Sequence, residues 1–413
     1  MYNKDEVMTH VCKMNEIKVF RDPIHSYVKV EYKIIWDCIN AREFQRLRRI
    51  RQLGGAFIVY HTAEHSRFSH SLGVYEIVRQ LVCENREIHK ALSEYERLTV
   101  MLAGLLHDLG HGPYSHSFEA VTGVSHEEIT NRILLEDSEI HRILSAASPI
   151  LAKDVASVID KTHPNRILSQ MVSGQLDADR MDYLLRDAYF SGATYGEFDM
   201  ARILRTLLIR DGKLTVKESG IHAVEDYIMA RYHMYWQVYY HPVARSYEAI
   251  LHAMFRRYRD LLESGHPSIF EPIDSFMLNQ NISLEAHYRL DESACNYGMG
   301  LFVQSDDAIL SDLASRLVNR NLFGYKNVNS VDDVGLMQKK VEDAHLDVRY
   351  YLLQDTASQK PYVPYHKSTE NFVYVLCSDG EIRELSKCST IVSALLNAED
   401  KKDDKMYYPK ELD

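Results

Sequence analysis

Residues 104–119 read GLLHDLGHGPYSHSFE, and this stretch decides the fold. An apolar helical run ends at His107-Asp108, and Gly110 and the Gly112-Pro113 pair then break the helix. Three histidines and two carboxylates fall within the thirteen positions from His107 onward. Neutral imidazole and carboxylate suit a divalent cation of the Mn, Fe, Ni or Zn kind, or Mg with more water. The stretch therefore predicts a metal site at the end of a buried helix.

A single His-Asp pair needs further ligands, and the sequence offers two. His70 lies upstream in RFSHSLGVYEIV, at the expected start of an amphipathic helix, and Asp179 lies downstream in QLDADRMDYLLRDAY. With His107 and Asp108 they would supply two nitrogens and two carboxylates. Such a set leaves positions open for water and for a phosphate oxygen, which a hydrolytic metal requires.

Each of these residues also has an ordinary structural explanation when it is taken alone. A His-Asp dipeptide occurs by chance in many proteins, and Asp179 could be a helix N-cap. The tyrosine-rich run at 227–247 could be core packing. The combination of ordered ligands with the glycine and proline breaks favours the metal site.

Composition excludes several classes of protein. The 413 residues are 46% hydrophobic and 26% charged, as in an ordinary globular protein, and the net charge of −11 argues against bulk electrostatic binding to nucleic acid. The most apolar stretch, 98–106, is far shorter than the roughly 20 residues that span a bilayer. The N-terminus has no signal pattern and the six cysteines never form CxxC, so we expect a cytoplasmic protein with reduced thiols and no membrane contact.

The rest of the chain is mostly helical in pattern, which predicts a mainly α fold. Helical periodicity predicts helices over 41–52, 70–89, 94–106, 125–135, 151–159, 172–190 and, with a kink at Pro242, 222–262. Extended pieces are predicted around an Asp22-Pro23 turn, hairpins around Asp211-Gly212 and Asp379-Gly380, and a loop over 354–370. A soft boundary divides a helical core, 1–330, from a small α+β region, 331–413.

The ligand order H…HD…D resembles that of the HD-domain phosphohydrolases. Longer strings are more specific: FQRLRRIRQLGG, AEHSRFSHSLGVYE, LLHDLGHGPYSHSFE, QLDADRMDYLLRDAYFSGATYG and HAVEDYIMARYHMYWQVYYHPV. Together they resemble the dNTP triphosphohydrolase branch, which includes bacterial dNTPases and the catalytic core of the vertebrate SAM- and HD-domain enzyme. The resemblance covers about residues 17–262. It implies an HD-domain helical core, with its motif region at about 65–190, short β-hairpins and a small α+β C-terminal part.

The resemblance implies a reaction in which water attacks the α-phosphorus of a dNTP and releases deoxynucleoside and triphosphate. It assigns a divalent metal, of the Mn, Fe, Mg, Ni or Zn kind, to His70, His107, Asp108 and Asp179. The 5′-alkoxide is a poor leaving group and needs a general acid. The implied acid-base group comprises His116 as the acid, Glu119 as its orienting carboxylate, and His111 and His126.

A substrate-binding set is also implied. The matching positions are Gln52, Leu53, Arg67, Arg180, Tyr183, Asp187, Arg231, Tyr235 and Tyr239. Helical spacing places Asp179, Tyr183 and Asp187 on one face, and Arg231, Tyr235 and Tyr239 on another. Tyr239 matches an aromatic residue that packs against C2′ and would exclude a ribose hydroxyl. Tyr235, Tyr240 and Pro242 depart from the vertebrate pattern, which leaves the base preference open.

Many relatives are homotetramers that a guanine nucleotide activates at subunit interfaces. The matching positions are Lys18, Val19, Asn40, Gln45 and Arg48. The basic run around Arg48 could instead be a solvated helix face, and Asn40 replaces an Asp of the vertebrate branch. We expect a nucleotide effector site and a homo-oligomer such as a tetramer, with guanine specificity open.

Two other functions stay open at this point. One is an HD-superfamily phosphohydrolase that acts on a nucleoside monophosphate or a cyclic nucleotide. The other is a nucleotide-sensing or nucleic-acid-binding protein with vestigial chemistry. Arg67, Arg180 and Arg231 suit a longer phosphate chain, and the intact ligand set argues against vestigial chemistry. The sequence therefore predicts a metal-dependent dNTP triphosphohydrolase under the control of a nucleotide effector.

Overall fold

Helices dominate the structure, a computed structural model that describes residues 11–280, 282–359, 372–397 and 401–413. The helices are α1 (Lys33–Asn40), α2 (Arg42–Arg46), α3 (Arg67–Arg79), α4 (Arg86–Ala91), α5 (Glu94–Leu106), α6 (His116–Thr122), α7 (His126–Leu135), α8 (Glu139–Ala147), α9 (Leu151–Ile159), α10 (Arg166–Ser173), α11 (Ala178–Ser191), α12 (Met200–Thr206), α13 (Ile221–Met234), α14 (Pro242–Glu263), α15 (Glu271–Met277), α16 (Leu284–Arg289), α17 (Glu292–Val303), α18 (Ala308–Val318), α19 (Val331–Asp343), α20 (Val348–Tyr351) and α21 (Thr390–Leu396). The predicted mainly α fold is confirmed.

Short strands form three small sheets beside the helices. The strands are β1 (Lys13–Asp22), β2 (Ser26–Tyr32), β3 (Leu207–Arg210), β4 (Lys213–Lys217), β5 (Gly324–Asn327), β6 (Leu353–Gln359), β7 (Tyr374–Leu376), β8 (Ile382–Glu384) and β9 (Lys401–Tyr408). β1 and β2 form an antiparallel hairpin in which Asp22 pairs with Ser26. The second sheet has the order β3-β4-β7-β8, with β4 and β7 parallel, and the third has the antiparallel order β5-β9-β6.

Helix α5 is the central element of the core. Ser93 and Glu96 form a reciprocal capping box at its start, because each side chain accepts the backbone N–H of the other residue. Every residue from Leu98 to Leu106 is buried. A helix that is apolar on all sides belongs in the interior. His107 therefore directly follows a buried helix.

The apolar core has two parts, and the segment after α5 connects them. One part surrounds α3, α5, α9, α10 and α11 and includes Leu109. The other surrounds α14, α15, α17 and α18 and includes Tyr114 and Phe118. Residues 104–119 are thus anchored in both parts of the core.

Three predicted helices are shorter or more broken than their patterns indicate. The 41–52 segment is α2 followed by a 3₁₀ turn at Leu47–Arg49. The 70–89 segment begins earlier, with α3, and continues through a π-helical turn at Gln80–Glu84 to α4. The 172–190 segment is split between α10 and α11, because Asp177 caps α11 by accepting the backbone N–H of Arg180.

The predicted kink at Pro242 is also wrong. Helix α13 passes into a π-helical turn at Tyr235–Tyr239, and a separate helix, α14, then starts with Pro242 in its first turn. Proline is favoured there because the first helical N–H has no intrahelical partner. The predicted helices over 94–106 and 151–159 and the hairpin at Asp211-Gly212 are confirmed.

Residues on the two sides of position 330 share sheets. β7 pairs with β4, and β9 lies between β5 and β6. The predicted loop at 354–370 is wrong for its described part, since β6 pairs with β9 up to Gln359; residues 360–371 lie outside the described residues. The division at 330 stays a prediction.

Within the described part of the chain, none of the helices combines the length and the apolar character needed to cross a membrane. All six cysteines carry free thiols. Cys377 and Cys388 lie next to each other, with their sulfur atoms 3.6 Å apart.

Gly73 allows α3 to approach α11 closely, and this contact generates a stability prediction. A Cβ atom at Gly73 would collide with Asp182 Oδ1 and lie 2.5 Å from Arg186 Nη2. Both partners are fully buried and cannot move aside. We expect Gly73→Ala to lower the free energy of unfolding by about 2 kcal/mol or more, measured by urea denaturation.

Gly300 is the matched control, because it also lies within a helix, α17, but a Cβ atom there would meet nothing within 4 Å. Gly300→Ala should leave the stability unchanged or raise it slightly. Equal stability changes in the two variants would contradict the proposed close packing at Gly73.

Candidate active site

The four predicted metal ligands converge, although they come from three separate helices. His70 lies on α3, His107 and Asp108 follow α5, and Asp179 lies in the first turn of α11. His70 Nε2 is 3.1 Å from Asp179 Oδ1 and 3.8 Å from Asp108 Oδ2. His107 Nε2 is 3.3 Å from Asp108 Oδ1 and 3.8 Å from Asp179 Oδ1. Ligand atoms of His70, His107 and Asp179 all lie within 4.8 Å of one another, and Asp108 lies beside them.

This donor set fits a divalent cation. His107 Nε2 is buried and has no hydrogen-bond partner among the described residues. Burial by itself would lower the pKa of His70, but hydrogen bonds to Asp179 and Asp182 raise it to about 10. The cluster thus attracts positive charge, which a metal ion would supply in place of a proton.

The orientation of His70 is fixed from behind by Asp182. Asp182 Oδ2 lies 2.8 Å from His70 Nδ1, and Oδ1 lies 2.7 Å from His25 Nε2. A carboxylate only accepts hydrogen bonds, so Nδ1 of His70 carries a proton toward Asp182; a metal bound in place of the proton on Nε2 would meet the lone pair of that atom. Arg186 donates to both oxygens of Asp182 at 2.9 Å, which completes the partners of this buried carboxylate.

The same network reaches the turn of the β1–β2 hairpin. Arg186 Nη1 donates to Asp22 Oδ2 at 2.9 Å, and Asp22 Oδ1 accepts the backbone N–H groups of Ile24 and His25. The side chains of His25 and Arg186 are fully buried. Sequence reasoning missed these groups, because nothing in the local pattern relates Asp22 and His25 to a helix about 160 residues away.

A cavity of about 550 Å³ opens above the ligand cluster, and most of the predicted site residues line it. These are Gln52, Leu53, Arg67, His107, Asp108, His111, His116, His126, Asp179, Tyr183, Asp187, Tyr235 and Tyr239. His70 and Glu119 lie behind the lining residues. Arg180 and Arg231 are not part of the wall, although their helices contribute other residues to it.

The predicted acid-base histidines form one group. The rings of His111 and His126 are stacked with centroids 3.9 Å apart. Glu119 Oε2 lies 2.8 Å from His126 Nδ1 and 3.4 Å from His116 Nδ1. Burial and the charge of Arg67 hold the pKa of His111 well below its usual range, and the same two causes lower the pKa of His116 less strongly. His116 is the most accessible member, with 74% of its side chain exposed.

A strained turn presents His116 to the cavity. Tyr114 and Ser115 both adopt the left-handed region, with φ of 55° and 51°. Non-glycine residues adopt this conformation only where the surroundings enforce it. The Tyr114 hydroxyl donates to Asn296 Oδ1 at 2.6 Å, and Arg67 donates to the Ser115 hydroxyl at 2.9 Å. The sequence predicted the breaks at Gly110 and Gly112 but not this turn.

The cationic side chains near the cavity differ in their hydrogen-bond and ion-pair partners. Arg67 donates to Asp108 Oδ2 at 2.5 Å from within the cavity wall. Arg180 donates to the Asp177 carboxylate and to the Gly174 carbonyl. Arg231 points to Gln175, with Nη1 3.4 Å from Oε1. Lys161, which sequence reasoning missed, lines the cavity with a φ of 60° and has no ion-pair partner among the described residues.

Asp187 is held rigidly at the cavity wall. Its two oxygens lie 2.8 Å from His65 Nε2 and 2.7 Å from the Tyr239 hydroxyl. The ring of Tyr239 lies between those of Tyr183 and Tyr235, with centroids 6.1 and 5.0 Å away. Helical spacing predicted Tyr183 and Asp187 on one face and Tyr235 and Tyr239 on another, and the structure brings these two faces together.

The predicted effector residues lie outside this cavity. Lys18 and Val19 are on β1, where 56% of Val19 is exposed. Gln45 Nε2 donates to the carbonyl of Ile39 at 2.7 Å, and Arg48 Nε donates to Gln45 Oε1 at 2.9 Å. These contacts are local, and the effector role stays a prediction.

A helical core with a cluster of imidazoles and carboxylates at a cavity fits a metal-dependent phosphohydrolase. The HD domain profile matches residues 67–187, and that of the HD associated region matches residues 198–412. Uncharacterized protein YwfO of Bacillus subtilis (strain 168) is 46% identical over 407 residues, which cover 97% of this chain and 94% of that protein. The chain belongs to the HD-domain family and is an HD-domain phosphohydrolase.

Two further similarities extend over different lengths. Deoxynucleoside triphosphate triphosphohydrolase SAMHD1 of Gallus gallus is 30% identical over 280 residues, which cover 58% of this chain and 45% of that protein. The crystal structure of a phosphohydrolase from Bacteroides thetaiotaomicron VPI-5482 has a TM-score of 0.84 and 28% identity, and the match covers 95% of this chain and 100% of that chain.

His25 should influence metal binding although it is not a ligand. His25→Phe keeps an aromatic ring but removes the donor to Asp182, so Asp182 should hold His70 less firmly. We expect metal affinity, measured by competition with a chelator, to fall by about tenfold. His25→Gln keeps an N–H donor and should recover most of the affinity.

His222→Phe is the control, because His222 also pairs with a carboxylate, at 2.8 Å from Glu225, but its side chain is 92% exposed. Its metal affinity should equal that of the wild type. If His25→Phe also bound metal as tightly as the wild type, the role assigned to the hairpin turn would be wrong.

Proposed function

We propose that this protein is a metal-dependent dNTP triphosphohydrolase, which hydrolyses a dNTP to deoxynucleoside and triphosphate. The observation that carries the proposal is a single cavity that contains the ligand cluster, the histidine group and the Asp187–Tyr239 pair. The printed name of the SAMHD1 relative describes the same activity.

The metal would be held by His70, His107, Asp108 and Asp179. A divalent cation of the Mn, Fe, Mg, Ni or Zn kind supplies, when bound, Lewis-acid activation of the phosphoryl group and of water. Asp182 keeps the Nε2 lone pair of His70 directed at the cluster. Arg67 contacts Asp108 and also faces the cavity, so it can bind a phosphate oxygen next to the metal.

His116 is the proposed general acid. In the imidazolium form Nδ1–H donates to Glu119, and the proton on Nε2 is the one that passes to the departing 5′ oxygen. The stacked pair of His111 and His126 supports the ring of His116 from one side, with centroids 5.3 and 5.4 Å away. The strained turn at Tyr114-Ser115 keeps this histidine in a fixed place without a flexible linker.

A triphosphate brings about four negative charges and needs cations along its length. Lys161 and Arg67 are the cations that line the cavity in this structure. Tyr183 adds a hydroxyl from the opposite wall. Arg180 and Arg231 would have to exchange their present partners, Asp177 and Gln175, for a phosphate oxygen.

Sugar selection is assigned to Asp187, Tyr235 and Tyr239. The hydrogen bond between Tyr239 and Asp187 holds the ring in place, so the ring would exclude an added 2′-hydroxyl from a sugar that packs against it. Gln52 and Leu53 line the same cavity as further sugar and base contacts.

The proposal also includes regulation by a nucleotide in a cytoplasmic homo-oligomer such as a tetramer. Lys18, Val19, Asn40, Gln45 and Arg48 are the proposed effector contacts. Its support is the exposed apolar side of the β1–β2 hairpin, where Ile17 and Val19 are more than half exposed. Asp182 connects the hairpin turn to His70 by hydrogen bonds. Through this connection, effector binding at the hairpin would influence the metal ligand.

Product analysis tests the reaction directly. The purified protein should release deoxynucleoside and triphosphate from dNTPs in the presence of Mn²⁺ or Mg²⁺, measured by chromatography with each dNTP singly, all four together, and GTP added to each. Release of a nucleoside monophosphate or diphosphate would contradict the proposal. Activity only in the mixtures would establish an effector requirement.

Loss of a ligand should abolish hydrolysis through loss of metal. We expect Asp179→Ala to bind less metal, measured by elemental analysis, and to show no detectable turnover. Retained metal together with full turnover would show that Asp179 is not a ligand.

Loss of the proposed acid should have a different signature. His116→Ala should keep metal and nucleotide bound but slow turnover by roughly 100-fold or more. Unchanged turnover would remove His116 from this role.

A further inference from the structure

Helix α14 contributes two titratable side chains to the cavity that the proposed reaction does not use. Glu248 and His252 lie one helical turn apart and both line the cavity. Neither belongs to the metal cluster or to the histidine group. They also line a smaller cavity of about 350 Å³.

The Glu248 carboxylate and the His252 Nε2 atom both lack a hydrogen-bond partner among the described residues. The carboxylate of Glu248 has no hydrogen bond and no ion pair among the described residues. The nearby cation, Arg245, is engaged instead by Asp355 and Asp403, at 2.6 and 2.8 Å. His252 Nε2 is buried without a hydrogen-bond partner in the described part of the chain. Polar groups at a cavity wall that lack partners are expected where a ligand supplies them.

The position of the pair places it near the proposed base contacts. Helix α14 packs against the 3₁₀ turn at Gly54–Ile58, which follows Gln52 and Leu53 directly. Ala244, one turn before Glu248, lines the cavity as well and leaves space beside the pair. A nucleotide with its phosphates at the metal and its sugar at Tyr239 can extend its base toward this wall.

The pair consists of hydrogen-bond acceptors. A carboxylate accepts at both oxygens. His252 Nε2 has no hydrogen-bond partner among the described residues, so in the neutral ring this nitrogen can carry the lone pair. Among the nucleobases, guanine presents two adjacent donors, N1–H and the 2-amino group. Adenine and cytosine present an amino group beside an acceptor, and thymine presents one N–H between two carbonyls.

We propose that Glu248 and His252 form a base-reading pair that makes guanine the preferred base of the substrate. Glu248 accepts the N1–H and 2-amino donors, and His252 accepts the remaining amino hydrogen. This inference rests on the proposed dNTP hydrolysis, because it identifies which dNTP the same cavity prefers.

The electrostatics of the pair agree with this role. Burial and the charge of Asp355 raise the pKa of Glu248 to about 7. Donor groups of a bound base would favour the ionised carboxylate, which forms shorter and stronger hydrogen bonds than a neutral acid. Burial lowers the pKa of His252, so its ring is neutral and able to accept at neutral pH.

The test compares dGTP with dITP, which differs only in lacking the 2-amino group, and with dATP. For the wild type we expect kcat/KM for dGTP to exceed that for dITP and for dATP by about tenfold or more. Glu248→Gln replaces one acceptor oxygen with an amide donor, so the preference for dGTP over dITP should fall to about twofold or less. His252→Phe removes the Nε2 acceptor and should reduce the same ratio several-fold.

Glu263→Gln is the matched control, since it makes the same substitution on the same helix at an exposed position. Its dGTP to dITP ratio should equal that of the wild type. Equal wild-type rates on dGTP and dITP, or an unchanged ratio in Glu248→Gln, would overturn the base-reading pair. A loss of activity in Glu248→Gln that is the same for every dNTP would also overturn it, because a structural role would act on all substrates alike.

A binding experiment separates this inference from the proposed reaction. Calorimetry should show deoxyguanosine binding more tightly than deoxyinosine to the wild type, by about tenfold, and equally to Glu248→Gln. If no dNTP is hydrolysed but deoxyguanosine is preferred, the proposed reaction fails and the base-reading pair is supported. If dNTPs are hydrolysed but the two nucleosides bind equally, the pair is overturned and the reaction stands.

Discussion

The hydrogen bonds of Asp182 are the interaction on which the rest of the site depends. This carboxylate is fully buried, and burial alone would raise its pKa, but Arg186, His25 and His70 hold its pKa well below the usual range. A buried charge is tolerated only when it is paired and hydrogen-bonded on every side. By meeting that requirement, Asp182 joins α3, α11 and the hairpin turn and orients His70 for a metal.

The second constraint is the path of the chain after α5. Leu109 is anchored in one part of the core, and Tyr114 and Phe118 are anchored in the other. Between these anchors, His111, Ser115, His116 and Ser117 line the cavity. The left-handed conformation of Tyr114 and Ser115 follows from this double anchoring, because the chain must turn sharply before α6 begins.

The distribution of charge in the cavity suits an anionic substrate, whose negative charge the nearby cations and a bound metal would balance. The metal ligands form a cluster with an excess of negative charge, and Arg67 and Lys161 lie along the wall. Arg180 and Arg231 are already engaged with protein groups, so their recruitment by a phosphate would cost the contacts they now make. For the proposed triphosphate substrate, contacts with all four cations would offset that cost.

The sequence by itself determined the helical class, because helical periodicity is a local pattern. It predicted the ligand set from ordered histidines and aspartates, and the residues of the cavity wall from a family resemblance. His107 and Asp108 follow an unmistakable apolar run, and Tyr183 and Asp187 follow Asp179 at helical spacing. Only the tertiary structure placed Asp22 and His25 behind the ligand cluster and Lys161, Glu248 and His252 in the cavity wall, and showed where α10 ends and α14 begins. These features depend on contacts between segments far apart in the chain. They also depend on caps and turns that end a helix even where the apolar periodicity continues. A pattern of side chains along one segment contains no information about which distant segment will bury it.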